Sequence, residues 1–263
     1  MSDYQGFLQF TIGAARAAGQ VIREGAQGEF NARQKGARDF VTDVDLAAER
    51  TIVEAIRRRY PDHDILTEET PPGARTSRYQ WIIDPLDGTG NFVHHFPHFS
   101  TSIALAIDDE PIIGAVYDPM RVHLFAGGTG LGATLNGHPL HVCDNANLID
   151  AQIGMDWSRD ERVRRQIVNA IAQLTPHSGS IRCCGSAALG LCYVAAGWWD
   201  AYFHLQLSAW DVAAGAVIVG EAGGLVTDAA GQRWRPGEGP VLASNGAIHE
   251  RFRELVGCGI DSA

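Results

Sequence analysis

The stretch Trp81-Ile82-Ile83-Asp84-Pro85-Leu86-Asp87-Gly88-Thr89-Gly90-Asn91-Phe92 constrains this chain more than any other part of it. A run of apolar, β-favouring residues predicts a buried strand that leads directly into Asp-Pro-x-Asp-Gly-Thr. Pro85 lacks the amide that ladder pairing needs, and Gly88 permits a sharp turn, so two carboxylates can face one cavity at the mouth of the strand. The bland alternative is an acidic turn whose carboxylates bond only local amides. The motif alone does not separate the two.

More acids stand at the ends of other elements. Leu66-Thr67-Glu68-Glu69-Thr70 closes a second strand with two carboxylates, and Ala209-Trp210-Asp211-Val212 opens a helix with another, although Asp211 also suits a simple N-cap. The 263 residues carry 31 acids against 21 Lys and Arg, a net charge of −10, and Lys35 is the only lysine. Carboxylates gathered at one mouth would repel one another unless they share a hard divalent cation. Oxygen donors with no His or Cys among them select Mg²⁺ over zinc or copper. The same negative balance argues against direct nucleic-acid binding or docking on anionic lipid, and an anionic phosphate would need help from cations.

The length suits one large domain or two intimate ones. A helix is expected from Asp3 to about Gly25, with Tyr4, Phe7, Leu8, Ala15, Ala18, Val21 and Ile22 as its apolar stripe, and another from Asp43 to Tyr60. Short β-rich runs follow at 64–67, 79–83, 99–107, 112–117 and 122–126, with hairpin turns at Asp108-Asp109-Pro111 and Asn136-Gly137. Beyond residue 150 the pattern alternates: strands at 152–155 and 200–204, helices at 160–174, 186–196 and 211–221. This predicts a layered α/β sandwich with an N-terminal lobe over 1–145 and a C-terminal lobe over 146–263, forming one catalytic unit.

Competing motifs lose their anchors. Gly128-Thr129-Gly130-Leu131-Gly132-Ala133 fits a loose dinucleotide pattern, but a turn follows it where a helix is required. His94, His95 and His98 flank Phe96-Pro97 and read as an aromatic loop packed through ring faces. No P-loop, G-x-S-x-G or H-E-x-x-H sequence occurs. The five cysteines form no C-x-x-C pair and are expected to be reduced, mostly buried thiols of a cytoplasmic protein. The N-terminal residues lack the pattern of a secretory leader, and no apolar run approaches a membrane span.

Asp84-Pro-Leu-Asp-Gly-Thr-Gly-Asn-Phe92 and Trp210-Asp-Val-Ala-Ala-Gly-Ala-Val-Ile-Val-Gly-Glu-Ala-Gly-Gly224 resemble the two signature motifs of the inositol monophosphatase family. Glu68-Glu69 and Asp39-Phe-Val-Thr-Asp-Val-Asp45 match its upstream elements in order and spacing. The resemblance implies an αβαβα layered sandwich and a magnesium-dependent, lithium-sensitive phosphomonoesterase, usually a homodimer. It implies a first metal at Glu68, Asp84 and the carbonyl of Leu86, a second at Asp84, Asp87 and Asp211, and a looser third near Glu68. Thr89 and Asp45 match the pair that takes a proton from the attacking water, with Glu68 counted among the catalytic residues. The amides of Gly88 and Thr89 are expected to meet phosphate oxygens.

The resemblance also places Gly185-Ser186-Ala187 against substrate hydroxyls, with Asp87 and Asp211 on the substrate side. Where the family often carries a glutamate that binds an inositol hydroxyl, this chain has His204, whose neutral ring has less acceptor capacity. The motif's usual second threonine is Gly90. Inositol 1-phosphate leads the expected substrates. Histidinol phosphate, fructose 1,6-bisphosphate and 3′-phosphoadenosine 5′-phosphate are alternatives, and a protein-binding role in transcription or RNA processing is the alternative of another class.

Overall fold

The computed structural model describes residues 4–261. The first half of the chain contains α1 (Tyr4–Gln27), β1 (Ala32–Gly36), β2 (Asp39–Thr42), α2 (Asp43–Arg59), β3 (Asp64–Thr67), β4 (Tyr79–Asp87), α3 (Thr89–Val93), β5 (Ser100–Ile107), β6 (Glu110–Asp118), β7 (His123–Gly128), β8 (Gly132–Leu135) and β9 (His138–Pro139). The second half contains β10 (Gln152–Met155), α4 (Glu161–Leu174), β11 (Ser180–Cys183), α5 (Ala187–Ala195), β12 (Ala201–Leu207), α6 (Ala209–Glu221), β13 (Leu225–Thr227), β14 (Gly239–Ser244) and α7 (His249–Asp261).

These elements stack in five layers, and apolar patterning decides which helix goes where. α1 buries one stripe, including Leu8, Ala15, Ala18 and Ile22, and with α2 covers one face of a seven-stranded sheet ordered β3-β4-β5-β6-β7-β8-β9. A helix with one apolar face suits an outer layer, whereas one that is apolar all round must lie between layers. Every residue of α5 is buried, and so is most of α6. These two helices fill the centre, between the seven-stranded sheet and a five-stranded sheet ordered β11-β10-β12-β14-β13. α4 and α7 close the far face around Ile167, Leu174, Phe252 and Val256. The result is the layered αβαβα sandwich that the sequence implied.

Several local expectations need correction. Pro85 does not end pairing: β4 runs on to Asp87, which pairs with Ser100 after an irregularity between Asp84 and Asp87. Pro111 lies in β6 opposite Ala106, and the hairpin bend is made by Asp108 and Asp109, both at positive φ. Asp211 is not the N-cap of α6; Ser208 is, and Asp211 stands three residues in. The thiols are less sequestered than expected, since Cys183 and Cys258 are exposed and only Cys192 is buried; none of the five is in a disulfide. The β1–β2 hairpin, β11, β13, β14 and α7 carried no signal strong enough to be read from periodicity. The glycine-rich 128–132 segment joins β7 to β8 as a hairpin, with no helix after it.

Candidate functional site

The mouth of β4 sets the geometry. In a regular strand, residues three apart point to opposite faces. Between the pairs Asp84–Ser102 and Asp87–Ser100, β4 holds one residue more than β5, and this bulge turns both carboxylates to one side. The N-terminus of α6 then brings Asp211 to them. Carboxylate oxygens of Asp84, Asp87 and Asp211 all lie within 4.8 Å of one another.

Each acid is oriented by the backbone. Asp84 Oδ1 accepts the Leu86 amide (3.0 Å). Asp87 Oδ2 accepts the Ser186 hydroxyl (2.5 Å) and the Ala188 amide (2.9 Å) from the start of α5. Asp211 Oδ2 accepts the amide of its own N-cap, Ser208 (2.7 Å). Gly88 follows at φ +91, and a Cβ there would lie 3.0 Å from the Gly185 carbonyl oxygen, so the turn into α3 excludes a side chain. Thr89 opens α3; its hydroxyl lies 2.9 Å from the Leu86 carbonyl and 3.1 Å from Asp45 Oδ1. Asp45, fully buried in the first turn of α2, accepts the Thr42 amide (2.9 Å) and the Thr42 hydroxyl at Oδ2.

A cavity of about 570 Å³ opens over this cluster, and Glu68, Asp84, Leu86, Asp87, Gly88, Thr89, Gly185, Ala187, His204 and Asp211 all line it. Asp45 and Ser186 sit behind the wall, Asp45 reaching the site through Thr89 and Ser186 through Asp87. Glu68 lies apart from the three-acid cluster, with its carboxylate 3.1 Å from the Lys35 ammonium and 3.8 Å from Arg159. Lys35 also reaches Glu69 (2.8 Å), so the chain's sole lysine links the β1–β2 hairpin to both acids. His204, on β12, is pushed down to about 4 by burial, against a backbone hydrogen bond to Trp157. Its Nδ1 accepts the Gln206 amide (3.0 Å). The ring is therefore neutral and tied to the chain at two points.

Burial dominates the electrostatics. It raises Asp84 well above the usual carboxylate range, reinforced by the charges of Glu68, Asp87 and Asp211. It raises Asp87 to about 7, partly opposed by Ser186 and Ala188, and Asp211 to about 8, with Asp87 and Glu68 adding to the effect. Acids in this position hold protons unless a cation replaces them. Three converging carboxylates with no nitrogen or sulfur donor fit a hard, oxygen-seeking cation such as Mg²⁺ or Ca²⁺. Asp45, raised by burial to about 6, is a carboxylate able to accept a proton near neutral pH.

Some supporting residues escaped the sequence. Glu49 is buried one helical turn after Asp45 and accepts the Thr67 hydroxyl (2.7 Å), the Glu69 amide (3.2 Å) and the Thr70 hydroxyl (2.5 Å), fixing the segment that carries Glu68. Its spacing of four from Asp45, on the same helix face, was the available signal. Asp156 follows the apolar strand β10 much as Asp84 stands on β4, and it also lines the cavity. The histidine loop is packed through rings, His95 against Phe30 (5.6 Å) and His98 against Tyr193 (5.8 Å).

Comparison with known proteins finds relatives along nearly the whole chain. The profile of the inositol monophosphatase family matches residues 3–260. Inositol monophosphatase 3 of Solanum lycopersicum is 40% identical over 253 residues, covering 94% of each chain. The Nus factor SuhB of Haemophilus influenzae is 43% identical over 262 residues, covering 95% of this chain and 96% of its own. The structure of the Thermotoga maritima IMPase superposes with a TM-score of 0.91 at 34% identity, covering 98% of this chain and 99% of the other. The carboxylate-lined mouth, the five layers and the match along nearly the whole chain place it in one group: the chain belongs to the inositol monophosphatase family.

Proposed function

We propose that the protein is a Mg²⁺-dependent phosphatase of small polyol phosphates, with inositol 1-phosphate as the preferred substrate. The observation that carries this reading is the convergence of Asp84, Asp87 and Asp211 beside the Thr89–Asp45 pair. Glu68, Asp84 and the Leu86 carbonyl would hold one ion, Asp84, Asp87 and Asp211 a second, and Glu68 would lie near a looser third. Bound Mg²⁺ supplies Lewis-acid charge to the phosphoryl and leaving oxygens and makes water more acidic.

The chain's own residues do the rest. A water attacking the phosphorus in line with the leaving oxygen passes a proton to Thr89 Oγ1 as that hydroxyl passes its own to Asp45 Oδ1; the phosphorus–oxygen bond to the alcohol breaks, and the departing alkoxide takes its proton from solvent water. The two Thr42 donors hold Asp45 in place for this transfer. The Gly88 and Thr89 amides, at the start of α3, meet phosphate oxygens without adding a charge that would compete with the metal. Gly185 and Ala187 line the side where the alcohol sits, Ser186 steadies Asp87 there, and neutral His204 forms the wall. The lobes 1–145 and 146–263 act as one unit, because α5 from the second orients Asp87 of the first.

We place the protein in the cytoplasm as a lithium-sensitive homodimer that binds neither membranes nor nucleic acid directly. No helix among the described residues is long and apolar enough to cross a membrane. The test is phosphate release with Mg²⁺ from inositol 1-phosphate, histidinol phosphate, fructose 1,6-bisphosphate and 3′-phosphoadenosine 5′-phosphate. The highest kcat/KM is expected on the inositol ester, and no release from any of the four overturns the reading. The similarity to Nus factor SuhB proteins supports a second reading, a regulator of transcription or RNA processing through protein contacts. A chain inactive on all four esters that still binds a transcription complex would establish it.

A further inference from the structure

We propose that Asp156 is a positioning residue that sets the place of Gly185–Ala187 against a bound polyol, an inference that rests on the phosphatase reading. Asp156 lies just beyond β10, lines the catalytic cavity and is only 7% exposed. Both of its oxygens are spent on one task. Oδ1 accepts the amides of Cys184 (3.0 Å) and Gly185 (2.5 Å), and Oδ2 accepts the hydroxyl of Tyr202 on β12 (3.0 Å). The Cys183 thiol approaches Oδ1 at 3.5 Å.

The same peptides are gripped from their other side. Asn91 Nδ2, at the end of the Asp-Pro-x-Asp-Gly-Thr-x-Asn run, donates to the carbonyls of Cys184 (2.7 Å), Gly185 (3.2 Å) and His98 (2.7 Å). Gly185 is held between them at φ +77, and a Cβ there would lie 2.9 Å from the Asn91 side chain. The turn into α5 is thus clamped by a carboxylate on its amides and a carboxamide on its carbonyls.

A side chain that served only to fill space would not direct both oxygens at the wall of the cavity. A carboxylate is also the only group of this size that can accept at both ends. An asparagine in its place keeps the shape but offers one acceptor oxygen: turned to the two amides, it sets its NH₂ against the Tyr202 hydroxyl, which must then accept and turn its own hydrogen out of the clamp; turned to the tyrosine, it sets NH₂ against the two amides, donor against donor. Asp87 keeps its separate bonds to Ser186 and Ala188, so the expected damage is to placement of the alcohol and not to the metal carboxylates. Contacts that hold the alcohol equally in the ground and transition states show their loss in KM and hardly in kcat.

The experiment compares wild type with Asp156→Asn and Tyr202→Phe, each with Mg²⁺, on inositol 1-phosphate and on phenyl phosphate, whose leaving group has no hydroxyl for the segment to meet. Amide hydrogen exchange at Cys184 and Gly185 is measured alongside. Asp156→Asn is expected to raise KM for the inositol ester about tenfold, lower kcat by less than about threefold, and cost phenyl phosphate less than about threefold in kcat/KM. Exchange at both amides should accelerate while the thermal midpoint stays above the assay temperature. Tyr202→Phe, which leaves the carboxylate in place, should give the same pattern at about a third of the size, so the idea stays testable if the asparagine variant does not fold. Unchanged KM with unchanged exchange overturns the inference, as does an equal loss on both esters, which would make Asp156 structural. A wild-type protein that cleaves neither ester fails the phosphatase reading itself and takes this inference with it; failure of the variants alone leaves that reading standing.

Discussion

Helices α2 and α6 enter the cavity by the same local device. Each has a hydroxyl residue at its N-cap, Thr42 or Ser208, and an aspartate three residues on, Asp45 or Asp211, whose carboxylate accepts the N-cap amide. What differs is the company. Asp45 faces two hydroxyls, and burial lifts it to about 6; Asp211 faces two carboxylates and is lifted to about 8. On the function proposed above, one capping geometry therefore yields a proton acceptor in one place and a cation ligand in the other. The lesson is that a cap residue's chemistry is set by the element opposite it.

The comparison breaks most sharply at the ligands. Asp211→Asn keeps an acceptor for the Ser208 amide, so the helix should survive. Calorimetric titration should nevertheless show Mg²⁺ binding largely lost, and kcat/KM should fall by more than about a thousandfold; Asp87→Asn should match it. Retained turnover in either variant would remove the metal assignment. Asp45→Asn, equally neutral for its cap, should lower kcat about a hundredfold while leaving the Mg²⁺ midpoint within about threefold. An equal loss of metal affinity would mean the two aspartates share one role. Glu49→Gln acts a step further out, by loosening the segment that carries Glu68, and should weaken Mg²⁺ about tenfold. An unaltered titration midpoint would show that Glu68 needs no such support.

The smallest effect lies in stability. Asp211 is raised in the folded chain to about 8, and an unfolded aspartate titrates near 4, so between these values the native state holds a proton that the unfolded state has lost. Without divalent cations, stability should therefore fall as pH rises through that window. His204 works the other way: held neutral down to about 4, it contributes stability that is lost only as pH drops below about 6.5. A melting series from pH 6.5 to 8 isolates the carboxylates. The midpoint should decline by several degrees in chelator, recover with Mg²⁺, and decline less in Asp211→Asn. A flat metal-free profile would show that the cluster is not frustrated.

Periodicity and turn chemistry were enough to read the helices at 4–27, 43–59 and 161–174, because a single apolar stripe marks an outer layer. The all-apolar α5 and α6 were readable as helices, and their complete burial is what places them in the middle. The β1–β2 hairpin was missed because every residue of β1 is exposed and offers no alternation. In the site, acids at strand ends were visible, but the bulge that turns Asp84 and Asp87 to the same side was not, since Pro85 reads as a stop. Glu49 and Asp156 were passed over because they lie outside the motifs. Their roles depend on partners supplied by distant segments: Thr67 and Thr70 for one, Cys184, Gly185 and Tyr202 for the other.

The bonds from Ser186 and Ala188 to Asp87 join residues 99 and 101 positions apart. Contacts of such long range form late, because the loop they close must first lose its freedom. During synthesis the first half of the chain can build its sheet with Asp84 and Asp87 already at the mouth, yet nothing orients Asp87 until α5 has been made, and the third acid arrives only with α6. The centre that gathers the charge is thus complete only once α6 has been made, and a chain interrupted before it would carry Asp84 and Asp87 at the mouth without Asp211.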